Sequence, residues 1–146
     1  MNEQQSAVKN YLSKAYQVEL RIDDRVAMIQ SLRDLAVKAG PTASDMPGSP
    51  NRNIRRMEDI IVKITDQENE LRDEIDRLLD LRKSIHDLIA QVDVPEQQVV
   101  LEQRYLRYLG WDEISGNIGV CRRQVYRIHD AGLEKIKIPE SCHEML

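Results

Sequence analysis

Five side chains suited to nucleic-acid recognition fall within six residues of the last third of the chain. They are Arg122, Arg123, Gln124, Tyr126 and Arg127. An arginine can pair bidentately with guanine or clamp a phosphate, and each of these three could do either. Tyr126 could contact a base and its sugar or lie on the surface as an apolar residue. The competing interpretation is a solvated helix face, and the flanking sequence favours DNA contact over it.

The residues around this group predict two short helices joined by a turn. Apolar residues recur at helical spacing at Ile114, Ile118, Val120, Val125 and Ile128. Gly119 interrupts them where the chain must leave the first helix, and glycine adopts a left-handed conformation without a Cβ clash. Ser115 is small where the two helices must approach. The spacing predicts a helix-turn-helix whose second helix runs from about Arg122 to Ile136.

The second helix has two distinct faces on a helical wheel. The face expected to pack inward carries Cys121, Val125, Ile128, Gly132 and Ile136. The opposite face carries Arg123, Tyr126, Arg127 and Asp130. Arg122 lies at the side of the first turn, where a phosphate would meet the backbone donors of a helix N-terminus. Trp111, at the start of the first helix, is expected to pack in the core.

The chain as a whole is acidic, but one segment of it is basic. The net charge is −4, which argues against binding nucleic acid by bulk electrostatics. Between Ile118 and Lys137, however, five basic residues oppose two acidic ones, a local balance of +3. One such face predicts modest affinity, so we expect a homo-oligomer, with a dimer favoured, or a second anchoring partner.

The composition narrows the class of protein. A chain of 146 residues with 4% aromatic residues and no Phe must build its core from aliphatic helix packing. No phosphate-binding loop, activated nucleophile or metal-ligand cluster can be placed, so we expect neither an enzyme nor a cofactor. Cys121 and Cys142 are expected to be free thiols, and with His129 and His143 they match no common zinc spacing.

The sequence also predicts where the protein is found. No apolar run approaches the roughly 20 residues that span a bilayer, and the N-terminus lacks the layout of a signal peptide. We therefore expect no membrane contact and a place in the cytoplasm.

The sequence predicts two long helices, at residues 3–39 and 53–92. In the second, ten of twelve positions at alternating three- and four-residue spacing are apolar, which is typical of a coiled coil, and further apolar residues widen the stripe. We expect an antiparallel hairpin closed by a loop at 40–52, with a parallel coiled-coil dimer as the alternative. The first helix carries a stripe at the same spacing in which Arg25 is the polar exception, and Glu68 is one of the two polar exceptions in the second; Arg25 and Glu68 are expected to pair.

A supporting helix completes the predicted fold. It should begin at Pro95 and end before Gly110, with Arg104 and Arg107 solvated. The fold class is thus all-α. The predicted divisions are a hairpin at 1–92, a helix-turn-helix unit at 93–138 and a tail at 139–146.

The last part of the chain resembles region 4 of bacterial sigma factors over about 45 residues. The resemblance rests on Leu101, Arg104 and Tyr105, then Trp111 to Ile114, Ile118 to Val120, and Arg122 to Ile136. It implies that Arg122, Arg123, Tyr126 and Arg127 occupy positions whose side chains touch promoter DNA in that family. This chain departs from the family at four of its positions. It has Arg123 where the family usually has an acidic residue, Tyr126 where it has Arg, Arg127 where it has Gln, and Cys121 where it has a Ser or Thr helix cap. The sequence read should therefore differ from the ordinary promoter element.

The whole chain resembles a small family of phage and prophage proteins from Gram-positive bacteria. In that family a helical hairpin with a Ser-Asp-Met-Pro loop, here Ser44 to Pro47, precedes the sigma-like unit. Its likeness to late-transcription regulators of the RinA and ArpU type implies control of viral genes. Since the other regions of a sigma factor are missing, this chain should assist or redirect RNA polymerase and should not open a promoter alone.

Two other functions remain compatible with the sequence. A small-terminase-like packaging protein also combines a helix-turn-helix with helical hairpins, and it would form a ring. An adaptor that binds RNA polymerase through the sigma-like unit would not read DNA at all.

Overall fold

A computed structural model describes residues 1–38 and 50–138, and its regular secondary structure is entirely helical. The helices are α1 (Glu3–Leu12), α2 (Lys14–Lys38), α3 (Pro50–Ile89), α4 (Pro95–Tyr105), α5 (Trp111–Ile118) and α6 (Arg122–Glu134). The predicted all-α class is confirmed for these residues, and none of these helices is long and apolar enough to cross a membrane. The predicted tail at 139–146 and the Ser44 to Pro47 stretch lie outside the described residues.

The predicted long helix at 3–39 is divided at Ser13. The backbone N–H and the hydroxyl of Ser13 both donate to the carbonyl of Lys9, at 3.0 and 2.8 Å. A serine hydroxyl bonded four residues back competes with the helical ladder, which accounts for the break. α1 starts with a capping box, because Asn2 and Gln5 each accept a bond from the other's backbone N–H.

The described residues form two compact units, one of residues 1–17 and 78–138, and one that lies within Val18–Arg77. This division differs from the predicted boundary between residues 92 and 93. In the first unit, Leu12 of α1 and Ile89 of α3 are buried in one core with Leu101 of α4 and Leu133 of α6. The ends of the predicted hairpin that lie away from its loop, in α1 and in the last part of α3, therefore help to build the core on which α4 and α6 pack.

In the unit of Val18–Arg77, α2 and α3 contact each other in antiparallel order. Arg33 of α2 pairs with Glu68 of α3 at 2.7 Å, whereas Arg25, earlier in α2, reaches Glu74, later in α3, at 3.3 Å. The segment that would join the two helices lies outside the described residues, so a closed hairpin stays a prediction.

The predicted pairing of Arg25 with Glu68 is wrong. Arg25 donates to Gln67 at 2.8 Å and is paired with Glu70 and Glu74. Those three residues follow one another at helical spacing on one side of α3, and Glu68 is turned about 100° away from Gln67. Glu68 therefore meets Arg33, about two turns further along α2.

The supporting helix α4 begins at the predicted Pro95 but is shorter than predicted. It ends at Tyr105, and Tyr108 takes a left-handed backbone conformation with φ 58°, which a right-handed helix cannot continue through. Arg107 is exposed after the helix end. Residues 106–110 thus form the connection that leads into α5.

Candidate nucleic-acid interface

A three-residue turn, Gly119 to Cys121, joins α5 to α6. Gly119 has φ 72° and ψ 30°, and its N–H donates to the carbonyl of Ser115 at 3.0 Å. The left-handed conformation predicted for Gly119 is confirmed. Ser115 has a further role that its size alone did not indicate, because its hydroxyl donates to the carbonyl of Val120 and so closes the turn.

One side of α6 is buried. Val125, Ile128 and Leu133 are at most 6% exposed, and Ile136 is fully buried just beyond the helix end. Cys121 is exposed, so its predicted place on the packing face is wrong. The reason is that the helix begins one residue later, which leaves Cys121 as an extended N-cap whose side chain makes no capping hydrogen bond.

The close approach of α4 to α6 occurs at Gly132. A Cβ at this position would lie 3.0 Å from Cδ1 of Leu101 and 3.4 Å from Cβ of Gln97. Those distances are tighter than ordinary contacts, so the side chain of Leu101 would have to shift by a few tenths of an ångström to admit a Cβ. Gly132 therefore lets α6 lie directly on α4.

The other side of α6 is open to solvent and carries all five predicted site residues. Arg122, Arg123, Gln124 and Arg127 are exposed, and Tyr126 is 39% exposed. The first turn of α6 holds no acidic residue. The structure thus brings the five side chains together on the N-terminal half of a helix whose opposite side is anchored.

Arg122 makes a contact that the sequence analysis did not anticipate. Its Nε lies 3.1 Å from Oδ1 of Asp112 in α5, and both side chains are largely exposed, at 56% and 82%. Exposed ion pairs contribute only about 0.2–1 kcal/mol. The guanidinium of Arg122 is therefore held near the turn by a contact weak enough to be exchanged for a phosphate.

Tyr126 rests on an aromatic cluster at the start of α5. Its ring meets that of Trp111 edge to face, with ring centres 5.1 Å apart, and Trp111 also packs against the apolar cluster between α4, α5 and α6. Arg104 lies 4.4 Å from the centre of the Trp111 ring and donates to the carbonyl of Leu109 at 3.0 Å. Arg104, predicted to be solvated, is instead a half-buried structural residue.

A buried polar network links α4 to α6 beneath the exposed face. His129 is 2% exposed, with Nε2 2.6 Å from the hydroxyl of Tyr105 and Nδ1 2.9 Å from Oδ1 of Asp130. Burial raises the pKa of Tyr105, so its O–H stays protonated and donates to Nε2. Nδ1 then carries the ring proton and donates to Asp130. Burial also lowers the pKa of His129, against the opposing effect of Asp130, which favours this neutral ring.

The C-terminal end of α6 is held by α1. Gln5, only 6% exposed, donates to the carbonyl of Asp130 at 3.0 Å and to Oε1 of Glu134 at 3.1 Å. Gln4 donates to the carbonyl of Ile136 at 3.4 Å. Gln4 also donates to the carbonyl of Glu134 at 3.5 Å, and this carbonyl lacks a partner within the helix because α6 ends there. α6 is thus fixed at both ends and along its buried side.

The sequence analysis missed His129, Gln5 and Arg104 as positioning residues. The helical wheel that places Val125 inward also places His129 inward, so a signal for His129 was present. The role of Gln5 depends on a contact between residues 125 positions apart, and no local pattern indicates it.

No group of three or more His, Cys, Asp or Glu side chains that could hold a metal ion occurs in residues 1–38 and 50–138. Comparison with protein-family models, with curated proteins and with solved structures finds no match for the chain.

Proposed function

We propose that the protein is a sequence-specific DNA-binding transcription regulator and that α6 reads the major groove. In this proposal α5, the turn at Gly119 and α6 form a helix-turn-helix with α4 as its supporting helix, and α2 and α3 form an antiparallel hairpin. The resemblance to phage and prophage proteins makes phage or prophage genes the proposed targets. RNA polymerase is a further proposed partner for the same reason.

The observation that carries the proposal is the exposed group Arg122, Arg123, Gln124, Tyr126 and Arg127 on the N-terminal half of α6. The major groove of B-DNA is about 12 Å wide and admits one α-helix, and the N-terminal residues of a recognition helix contact the base edges. Arg123 and Arg127 are the residues proposed to contact DNA most directly. Arg122 is proposed to exchange its contact with Asp112 for a phosphate.

Tyr126 has a separate proposed role. Because its ring is supported edge to face by Trp111, it offers a rigid apolar surface at low entropic cost. Such a surface suits contact with a base or sugar. The aromatic pair also couples the start of α5 to the exposed face of α6, so the two helices would meet DNA as one body.

Selection of fragments from the source genome tests the proposal. The protein is mixed with fragmented genomic DNA at low salt, and the bound fragments are sequenced for the wild type, for Arg123→Ala with Arg127→Ala, and for Arg55→Ala with Arg56→Ala. The last pair removes the same charge from exposed positions of α3. We expect the wild type and the α3 variant to enrich one defined set of fragments, and the α6 variant to lose at least about tenfold of that enrichment. An absence of enrichment by the wild type, or full enrichment by the α6 variant, would contradict the proposal.

The acidic net charge of −4 favours one alternative, an adaptor that binds RNA polymerase without reading DNA. The two functions separate in a pull-down with purified polymerase. Binding to polymerase that survives Arg123→Ala with Arg127→Ala, in a protein that selects no DNA, would establish the adaptor.

A further inference from the structure

The apolar stripe of α3 is wider than the surface that α2 covers. Ile60 is 8% exposed and Leu71 is half-buried, whereas Ile61 is 53% exposed and Ile75 is 40% exposed. These exposed isoleucines belong to the stripe whose spacing is typical of a coiled coil. A second helical surface is therefore needed to cover them.

The two sides of the α2–α3 pair differ sharply in polarity. On one side, a groove of about 340 Å³ is lined by the apolar residues Val26, Ile29, Leu71 and Ile75 and, at its rim, by Gln30, Arg33, Glu68 and Arg72. Ile61, seven residues before Glu68 of the groove rim, continues this side by helical periodicity. The corresponding positions on the opposite side of α3 are all charged and exposed, namely Asp59, Lys63, Asp66, Glu70, Asp73 and Arg77.

We infer that the side of the α2–α3 pair that carries the groove and Ile61 is the contact surface for a second copy of this chain, and that two copies form a four-helix bundle along it. The inference rests on the unit of Val18–Arg77 alone. It is independent of DNA binding, which is proposed for α6 in the other unit.

The size of the surface suits a stable dimer. Residues 50–77 of α3 span about 42 Å at about 1.5 Å per residue, and residues 18–38 of α2 span about 31 Å. Two adjacent helices, each about 10 Å wide, present about 600–800 Å² over that length. Stable protein interfaces bury about 800 Å² per partner, so one side of the pair is large enough.

The charges on the groove rim favour a second copy over a partner of one charge sign. Arg33, Glu68 and Arg72 lie between the apolar positions, so the rim carries both signs. A two-fold axis through the middle of the groove brings each residue of one copy opposite the other copy's surface. Arg72 of one copy then approaches Glu68 of the other, while the apolar residues pack together. Four-helix bundles bury such stripes between helices about 20° from antiparallel.

The test compares two neighbouring exposed residues of α3. Ile61 and Val62 are 53% and 57% exposed, but Val62 points away from the groove by helical periodicity. Molar mass is measured by size-exclusion chromatography with light scattering for the wild type, for Ile61→Glu with Ile75→Glu, and for Val62→Glu, all as full chains. We expect the wild type and Val62→Glu to be dimers. In the double variant, we expect the dissociation constant of the dimer to rise by about a hundredfold or more.

Circular dichroism controls for folding, and Ile61→Gln with Ile75→Gln provides an uncharged pair should the glutamates unfold the helices. Retained helicity with lost dimerisation in either pair supports the inference. A monomeric wild type overturns the inference, even if this side then binds a different protein. A ring-sized assembly overturns it as well. Equal behaviour of the double variant and Val62→Glu would also overturn it.

Discussion

His129 links the buried side of α6 to α4 through its hydrogen bond with Tyr105, and Asp130 of α6 binds the other ring nitrogen. Burial lowers the pKa of the ring and so favours its neutral form, in which Tyr105 donates to Nε2 and Nδ1 donates to Asp130. Breaking either bond would leave a buried polar atom without a partner, which costs about 1–3 kcal/mol. Since the bond to Tyr105 crosses from α6 to α4, it helps to fix the rotation of α6 about its axis. That rotation decides which side chains of α6 face outward.

The burial of His129 predicts a pH dependence of stability. Burial lowers the pKa of His129 below the ordinary value of about 6.5. Just below pH 6.5, the unfolded chain therefore binds a proton at this residue and the folded chain does not. Its contribution is therefore fully present above about pH 6.5 and is lost as the pH falls toward the lowered pKa, at no more than about 1.4 kcal/mol per pH unit.

Urea unfolding between pH 7.5 and 5.5 measures this effect. His129→Gln should flatten the decline seen in the wild type, and His86→Gln, at an exposed position of α3, is the matched control. An unchanged decline in His129→Gln would show that other groups cause it.

The turn between α5 and α6 depends on backbone conformation and not on space. Gly119 has nothing within 4 Å of a Cβ built on it, yet its φ is 72°. Gly116, within α5, also has open space around it, and its φ is not in the left-handed range. The two glycines of one short segment therefore differ in conformation alone.

Alanine at these two positions should change stability in opposite directions. Gly119→Ala forces an L side chain into the left-handed region and should destabilise the protein by about 1–2 kcal/mol. Gly116→Ala removes the entropic penalty of a helical glycine and should stabilise it by about 0.5–1 kcal/mol. Urea or thermal unfolding gives both values. Destabilisation of similar size in both variants would argue against the conformational account of the turn.

At the scale of elements, the predicted start of α6 and the predicted turn at Gly119 agreed with the structure, whereas the break at Ser13 and the partner of Arg25 were missed. The start of α6 at Arg122 and the role of Gly119 follow from spacing and from the conformational freedom of glycine, which act within a few residues. The break at Ser13 comes from one side-chain hydrogen bond that competes with the helix. The partner of Arg25 depends on the register between α2 and α3, and composition does not encode that register.

The candidate site shows the same difference. The exposure of Arg123, Tyr126 and Arg127 was predictable, because it follows from the helical wheel. Cys121 was misplaced because the wheel was extended one residue beyond the actual start of the helix. The contacts of Arg122 with Asp112 and of Arg104 with Trp111 require the packing of α4, α5 and α6, which no single helix pattern contains.

At the scale of the whole molecule, the two compact units carry different surfaces. The unit that contains α4, α5 and α6 carries the basic, exposed side of α6, and the unit of Val18–Arg77 carries the apolar side of the α2–α3 pair. A net charge of −4 means that affinity for DNA must come from a small local surface. Two such surfaces in a dimer would raise the effective affinity by avidity, which is how the two proposals connect.

The salt dependence of DNA affinity tests the central claim most directly. The dissociation constant for a fragment selected from the source genome is measured by fluorescence anisotropy across a salt series, for the wild type and for Arg123→Ala with Arg127→Ala. If either arginine binds phosphate, the slope of log affinity against log salt should decrease by about one for that residue, and if either reads a base, affinity for the selected fragment should fall toward that for unrelated DNA. An affinity and slope identical to those of the wild type would contradict DNA recognition by α6.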